Sequence, residues 1–196
     1  MSKTRYRILS FDPGITETGW AVIDYNKTTG HMTVSAYDYF NRAYLANKRK
    51  EMQKTFLMHY VLLDAYYDTV CDLIDHYKPD EVVCEGGFAH KFIKAYESLV
   101  LVIHKIRTAS DKKLGKDIHI VAPQEAKLWI TGTGTASKTS VTESVSSYKD
   151  LTIKSNKQRN IQKMPNHVFD AIALGVTFIQ KILVTRISAK TTTPAK

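Results

Sequence analysis

Four polar residues interrupt apolar sequence in ways that invite chemistry. Asp12 closes the run ILSFD and is followed at once by Pro13-Gly14. Glu85 closes EVVCE and is followed by Gly86-Gly87, and His167 and Asp170 stand three apart in NHVFDAIALG. Two carboxylates brought close together repel unless a proton or a cation lies between them. Residues three apart on a helix share a face, so His167 and Asp170 can be presented together. The sum is an oxygen-rich set with one nitrogen, which suits magnesium or manganese better than structural zinc. Each residue also has a plainer use. Asp12 can organise its turn, Glu85 can be a loop acid, His167 a surface residue beside a helix cap, and Asp170 a partner of the helix dipole. The combination, rather than any one of them, points to a metal site.

Positioning these groups takes two strands that end at one edge and a helix that begins near it. Residues 5–11, 18–25 and 31–40 read as strands, with NKTTG at 26–30 as a hairpin turn. Residues 41–50 read as a basic connection and 51–77 as a helix, in which Phe56, Leu63, Val70 and Tyr77 recur every seven residues and Tyr60, Tyr67 and Ile74 fill the turns between. A short buried strand follows at 81–85. Next come a helix at 91–110 with Leu99, Val102, Ile103 and Ile106 on one side, and a strand at 117–122. Pro123 opens a short helix carrying Leu128, Trp129 and Ile130, and residues 131–137 are a flexible glycine-rich stretch. Ser137 can cap a helix over 138–148, residues 149–164 are polar and basic, and a last helix over 166–184 has Asn166 as a potential cap. This alternation is α/β. With no repeat and no dividing linker, residues 1–184 are expected to form one domain and 185–196 a disordered tail. A right-handed crossover would place strand 81–85 parallel to strand 5–11, so that Asp12 and Glu85 leave the sheet at the same edge.

The charge balance narrows the partner. The 196 residues include 28 Lys and Arg against 19 Asp and Glu, a net charge of +9. Such an excess favours a polyanion, nucleic acid before an anionic membrane surface. Arg42, Lys48, Arg49 and Lys50 form one basic cluster, and Lys154, Lys157, Arg159 and Lys163 another. Both suit phosphate contacts, and both would also be ordinary as solvated loop charges. No apolar run reaches the roughly 18 residues a membrane span needs, and the first ten residues lack the apolar centre of a secretion signal. A cytoplasmic protein is expected, with Cys71 and Cys84 as reduced, buried thiols.

Taken in chain order, these segments resemble the RuvC family of Holliday junction resolvases, within the RNase H-like, retroviral-integrase superfamily. FDPG at 11–14 with TGWAVID at 18–24 resembles that family's first two strands, and VVCEGGF at 82–88 its second acidic strand. GTGTASK at 132–138 resembles its glycine-rich stretch ending in a basic residue, and His167-x-x-Asp170-Ala-Ile-Ala its terminal metal-binding helix. The likeness spans roughly residues 6–180.

The resemblance implies an RNase H-like mixed five-stranded sheet, three antiparallel strands then two parallel, with helices on both faces. It implies a catalytic quartet of Asp12, Glu85, His167 and Asp170, holding two Mg2+ or Mn2+ ions per site. Asp12 would bridge the ions, Glu85 would complete one position, and Asp170 with His167 the other. His167 would alternatively orient water or carry protons. Lys127 and Lys138 match basic positions of the family, and Lys138, directly after the glycine stretch, is the one expected to act in catalysis near the scissile phosphate, while Phe88 matches an aromatic wedged into the junction centre. Arg49, Lys50, Lys154, Lys157 and Arg159 join them as expected DNA contacts. The implied activity is paired nicking of four-way DNA, leaving 5′-phosphate and 3′-hydroxyl ends, by a homodimer. Three alternatives stand beside it. They are an RNase H-like nuclease acting on RNA or other branched DNA, a catalytically silent junction-binding module, and an ATP-binding protein of the actin/hexokinase-like fold, to whose phosphate loop DPGITETG bears a superficial likeness.

Overall fold

The computed structural model describes residues 3–14, 16–55, 57–87, 93–154 and 160–185. Strands β1 (Arg5–Asp12), β2 (Glu17–Asn26) and β3 (Met32–Asn41) form an antiparallel meander. Strand β4 (Glu81–Glu85) lies parallel to β1, and β5 (His119–Val121) parallel to β4. A further strand, β6 (Leu151–Ile153), runs parallel to β3, and the order across the sheet is β5-β4-β1-β2-β3-β6. The five expected strands are present, and β6 corrects the count to six. Its three residues sit in the stretch expected to be only polar and basic, and three residues are too few to display alternation. What recruits them is the free edge of β3, whose Met32 to Val34 offer unpaired backbone groups.

Both faces of the sheet are buried, and side chains alternate between them with a period of two. Ile8, Ala21, Ile23 and Val83 belong to one core, Leu9, Phe11, Val22, Val82 and Cys84 to the other. Helices α2 (Met58–Tyr77) and α3 (Ile93–Leu114) cover the second core, joined by α1 (Arg42–Lys48). Helices α4 (Pro123–Thr131), α5 (Lys138–Ser146) and α6 (Asn166–Phe178) cover the first. A wider π turn over Ile179–Leu183 continues α6. Cys71 and Cys84 are free, buried thiols.

The connection at 41–50 is more ordered than its composition implies. Asn41 caps α1 by accepting from the Tyr44 amide, and Leu45 is buried. Helix α2 begins at Met58 rather than 51, and Tyr60, expected on its packing side, is 60% exposed. Besides its apolar side, α2 carries an acidic stripe at Asp64, Asp68, Asp72 and Asp75. These meet Lys105, Arg49, Lys48 and Lys113 in turn, the first three at 3.0, 2.6 and 2.6 Å. The first three pairs are partly solvated, so each stabilises by about 0–1 kcal/mol. Together they lash α1 and α3 to α2. Among the described residues no helix is long and apolar enough to cross a membrane.

Candidate active site

The period of two decides where the strand acids point. Ile8 and Val83 face the α6 core, so Asp12, four residues beyond Ile8, and Glu85, two beyond Val83, fall on that same face. Phe11 pairs with Cys84 in the parallel register, and the two acids emerge side by side one step further on.

The start of α6 lies over this spot because two glycines let it. Gly19 pairs with Asp12 across β1 and β2. A Cβ on Gly19 would stand 2.1 Å from the His167 carbonyl oxygen, so any other residue would push the helix start away. Along the helix, Gly175 lies over Ser10 and Ile23, where a Cβ would come within 2.6 Å of Ile23 Cδ1. Asn166, expected as the cap, is instead the first helical residue. Pro165 holds the cap position and makes no side-chain bond there, which fits its pre-set φ at a helix entrance.

His167 Nδ1 consequently lies 2.5 Å from Asp12 Oδ2. One ligand-capable atom from each of Asp12, His167 and Asp170 falls within 4.8 Å of the others. Glu85 stands just outside this tightest group, beside Asp12 on the neighbouring strand. The four residues line a solvent-open cleft of about 590 Å³, walled by Pro123, Ala126, Val141, Ala173 and Leu174. Lys127 of α4 and Lys138, the first residue of α5, line it too. Ser137 caps α5 as expected, accepting from the Ser140 amide at 3.1 Å.

Crowding of acids in an apolar cleft dominates the electrostatics. Burial and then the Asp12 charge raise Glu85 to about 9. The same two causes raise Asp170 to about 6, with Lys138, His167 and Lys127 pulling it back. His167 is raised above its ordinary value, chiefly by its bond to Asp12. Without a cation, the site therefore holds protons where acids would otherwise repel. That is what a buried oxygen set built for hard divalent ions should do, and the residues fit such ions.

A pH dependence follows. A carboxyl whose folded pKa lies above its unfolded value contributes stability that is full below the unfolded pKa and is lost as pH rises through the folded one. For Glu85 that window runs from 4.5 to about 9, and for Asp170 from 3.8 to about 6. The melting temperature of the metal-free protein should therefore fall as pH rises from about 6 to about 9, and Glu85→Gln should flatten the fall. Calorimetric melts across that range check it, and a flat wild-type profile would count against this geometry.

The sequence profile of the family described as crossover junction endodeoxyribonuclease RuvC matches residues 8–178. The chain belongs to the RuvC family. The RuvC protein of Dictyoglomus turgidum is 29% identical over 176 residues, covering 89% of this chain and 96% of its own length. That of Protochlamydia amoebophila is 32% identical over 177 residues, covering 88% and 90%. The structure of Thermus thermophilus RuvC in complex with a Holliday junction substrate shares 17% identity at a TM-score of 0.66, covering 88% of this chain and 92% of that one. At that identity the likeness bears on the fold alone. Asp12, Glu85, His167 and Asp170 all lie within the span matched to the RuvC family.

The remaining expected contacts are scattered. Phe88, Lys157 and Arg159 lie outside the described residues. Lys50 is exposed, but Arg49 is half-buried and its guanidinium is engaged by Asp68, so an internal ion pair competes with any phosphate there. Lys154 follows β6, and its amide bonds Val34, level with Ile8 rather than with Asp12. At about 3.3 Å per residue and 4.8 Å per strand, it lies on the order of 20 Å from Asp12, toward the opposite edge of the sheet. Closeness in sequence to α6 did not bring it near the cleft. Conversely, Gly19 shapes the site without having been singled out. An isolated glycine inside a strand, a signal of close backbone approach, was the available clue to it.

Proposed function

We propose that this chain is a Holliday junction resolvase, a structure-selective endodeoxyribonuclease that hydrolyses four-way DNA with metal ions and leaves 5′-phosphate and 3′-hydroxyl ends. The observation that carries it is the gathering of Asp12, Glu85, His167 and Asp170 in one cleft with Lys127 and Lys138, in a member of the RuvC family. Residues 1–184 act as one nuclease domain, and the DNA substrate fits a cytoplasmic place of work.

Two Mg2+ or Mn2+ ions, when bound, supply an activated water and charge neutralisation on both sides of an in-line displacement at phosphorus. Asp12, Glu85 and Asp170 would supply the carboxylates that hold them, Asp12 as the shared ligand, Glu85 for one position and Asp170 for the other. Glu85 and Asp170 would have to be deprotonated to serve as ligands. His167, held by Asp12, orients one side of the site and can hold a proton at Nδ1. Lys127 and Lys138 meet the phosphate and offset charge on its oxygens. The apolar walls formed by Ala126, Val141 and Leu174 limit water to the open side.

Paired nicks require two such clefts, which a homodimer supplies. Large apolar side chains left exposed around the starts of α2 and α3, among them Leu57, Tyr60, Tyr96, Val100 and Leu101, support those helices as the contact. DNA binding is mostly electrostatic and weakens with salt.

Incubation with a mobile four-way junction and Mg2+ or Mn2+ should give symmetric nicks in opposing strands that DNA ligase reseals. Flaps, forks and RNA–DNA hybrids run alongside resolve the choice of substrate. Intact junctions under all metal conditions would overturn the proposal, and phosphate release from ATP without DNA would favour the ATP-binding alternative. Lys138→Ala should slow nicking strongly. Lys154→Ala should change it by no more than about twofold, as expected of a distant surface substitution, and equal losses in single-turnover rates would contradict the placement of these lysines.

A further inference from the structure

Behind the turn that follows Asp12 runs a short chain of buried hydroxyl groups. Thr18, fully buried at the start of β2, receives the Gly14 amide proton at 3.2 Å and lies 2.9 Å from the Gly14 carbonyl, to which its hydroxyl donates. That donation uses Thr18's only proton. Tyr66 Oη of α2, 3.0 Å from Thr18 Oγ1, must then be the donor between the two hydroxyls. Tyr66 is 1% exposed, and Phe40 fixes its ring edge-on at 5.0 Å. Burial pushes its phenol well above the ordinary range, so it keeps the proton it donates.

Every hydroxyl in this chain is satisfied, and all of it bears on one target. Gly14 is two residues past Asp12, and Thr18 precedes Gly19, the residue paired with Asp12. The turn is tight, since a Cβ on Gly14 would lie 2.2 Å from the Glu17 carbonyl oxygen. Neither Tyr66 nor Thr18 lines the cleft. Their reach to the site is through the backbone that carries Asp12.

We infer that Tyr66, acting through Thr18, is a positioning residue that clamps the Asp12 turn and so sets the Asp12 carboxylate for cation binding. The inference rests on the metal-site assignment above and extends it to the opposite face of the sheet. Partners that orient metal ligands contribute roughly 10-fold or more to metal affinity. Removing one hydroxyl buried in the chain should register at that scale without altering the apolar packing.

The test is calorimetric titration of Mn2+ into the DNA-free protein, with thermal melts and near-ultraviolet circular dichroism on the same samples. Tyr66→Phe keeps the ring against Phe40, and Thr18→Val keeps the shape of the side chain. Each should weaken Mn2+ binding roughly 10-fold, while Thr18→Ser, which retains the hydroxyl, stays within about twofold of wild type. Junction affinity measured in EDTA should be unchanged. Tyr66→Phe binding Mn2+ like wild type would overturn the inference. So would Thr18→Ser being as weak as Thr18→Val, or a Tyr66→Phe protein that has lost its fold, which would make the hydroxyl a global support. Wild type that binds Mn2+ but leaves junctions intact would remove the substrate assignment alone, because the ranking of Mn2+ affinities still decides the role of Tyr66.

Discussion

Asp12→Asn should lower single-turnover nicking of a four-way junction by about 10³-fold or more, some 4 kcal/mol of barrier. Asparagine keeps the shape of the side chain and loses the charge at the centre of the site. Three effects depend on that charge: the bond to His167 Nδ1, the repulsion that helps raise Glu85, and the repulsion that helps raise Asp170. The substitution therefore carries its own electrostatic signature. Asp170 should titrate below its value of about 6, because its second cause of elevation is gone. His167 should titrate lower as well, because the bond that chiefly raises it has lost its anion. Junction binding in EDTA should persist, since removing an anion from the cleft does not weaken phosphate contacts. NMR titration of the His167 ring and the carboxyl carbons checks the first part, and a quenched-flow nicking assay the second. Wild-type nicking by the Asp12→Asn protein would end the assignment of this site.

The second large effect is expected from a residue with no chemistry of its own. Gly19→Ala puts a methyl group 2.1 Å from the His167 carbonyl oxygen, 2.2 Å from its carbon and 2.7 Å from the Val168 nitrogen. All three are backbone atoms, so no side chain can swing aside. The first turn of α6 must retreat by roughly 1 Å, and a misplacement of that size at a catalytic group costs about 100-fold in rate. Overpacking should also cost about 1–3 kcal/mol of stability. Mn2+ affinity, nicking rate and melting temperature should all fall together. Gly30→Ala is the control. Its φ of +73° makes alanine mildly strained, but no atom lies within 4 Å of the new carbon and the hairpin is at the far end of the sheet. Melting temperature should drop slightly there, with Mn2+ binding untouched. Equal Mn2+ affinity in the Gly19→Ala and wild-type proteins would refute the close approach of β2 and α6.

Much of this site was legible in the residues because its two halves announce themselves separately. A carboxylate at the end of an apolar run, next to a Pro-Gly or Gly-Gly turn, is conspicuous in Asp12 and Glu85. The strands that carry them are long or fully apolar enough to fix direction and face. The i, i+3 spacing of His167 and Asp170 needed only a helix to become a pair. What escaped has physical reasons. Strand β6 exists because β3 offers an edge, which is a property of the assembled sheet and not of Leu151–Ile153. Helix α1 is held by Leu45 and by ion pairs to α2, invisible to local composition. Lys154 falls in a basic cluster of the sequence, and nothing local shows that it follows β6, several strands away from Asp12. Tyr66 lies outside the apolar periodicity that marks its helix, and only coordinates reveal that its oxygen reaches Thr18.

The sheet closes at each margin with a strand of just three residues, His119–Val121 on one side and Leu151–Ile153 on the other. Margins so brief give a neighbouring molecule too little main chain to zip onto. The homodimer proposed above would then join through side chains on its helical flanks. Such a union can be loosened or tightened by single surface replacements, leaving the folded scaffold of each copy intact.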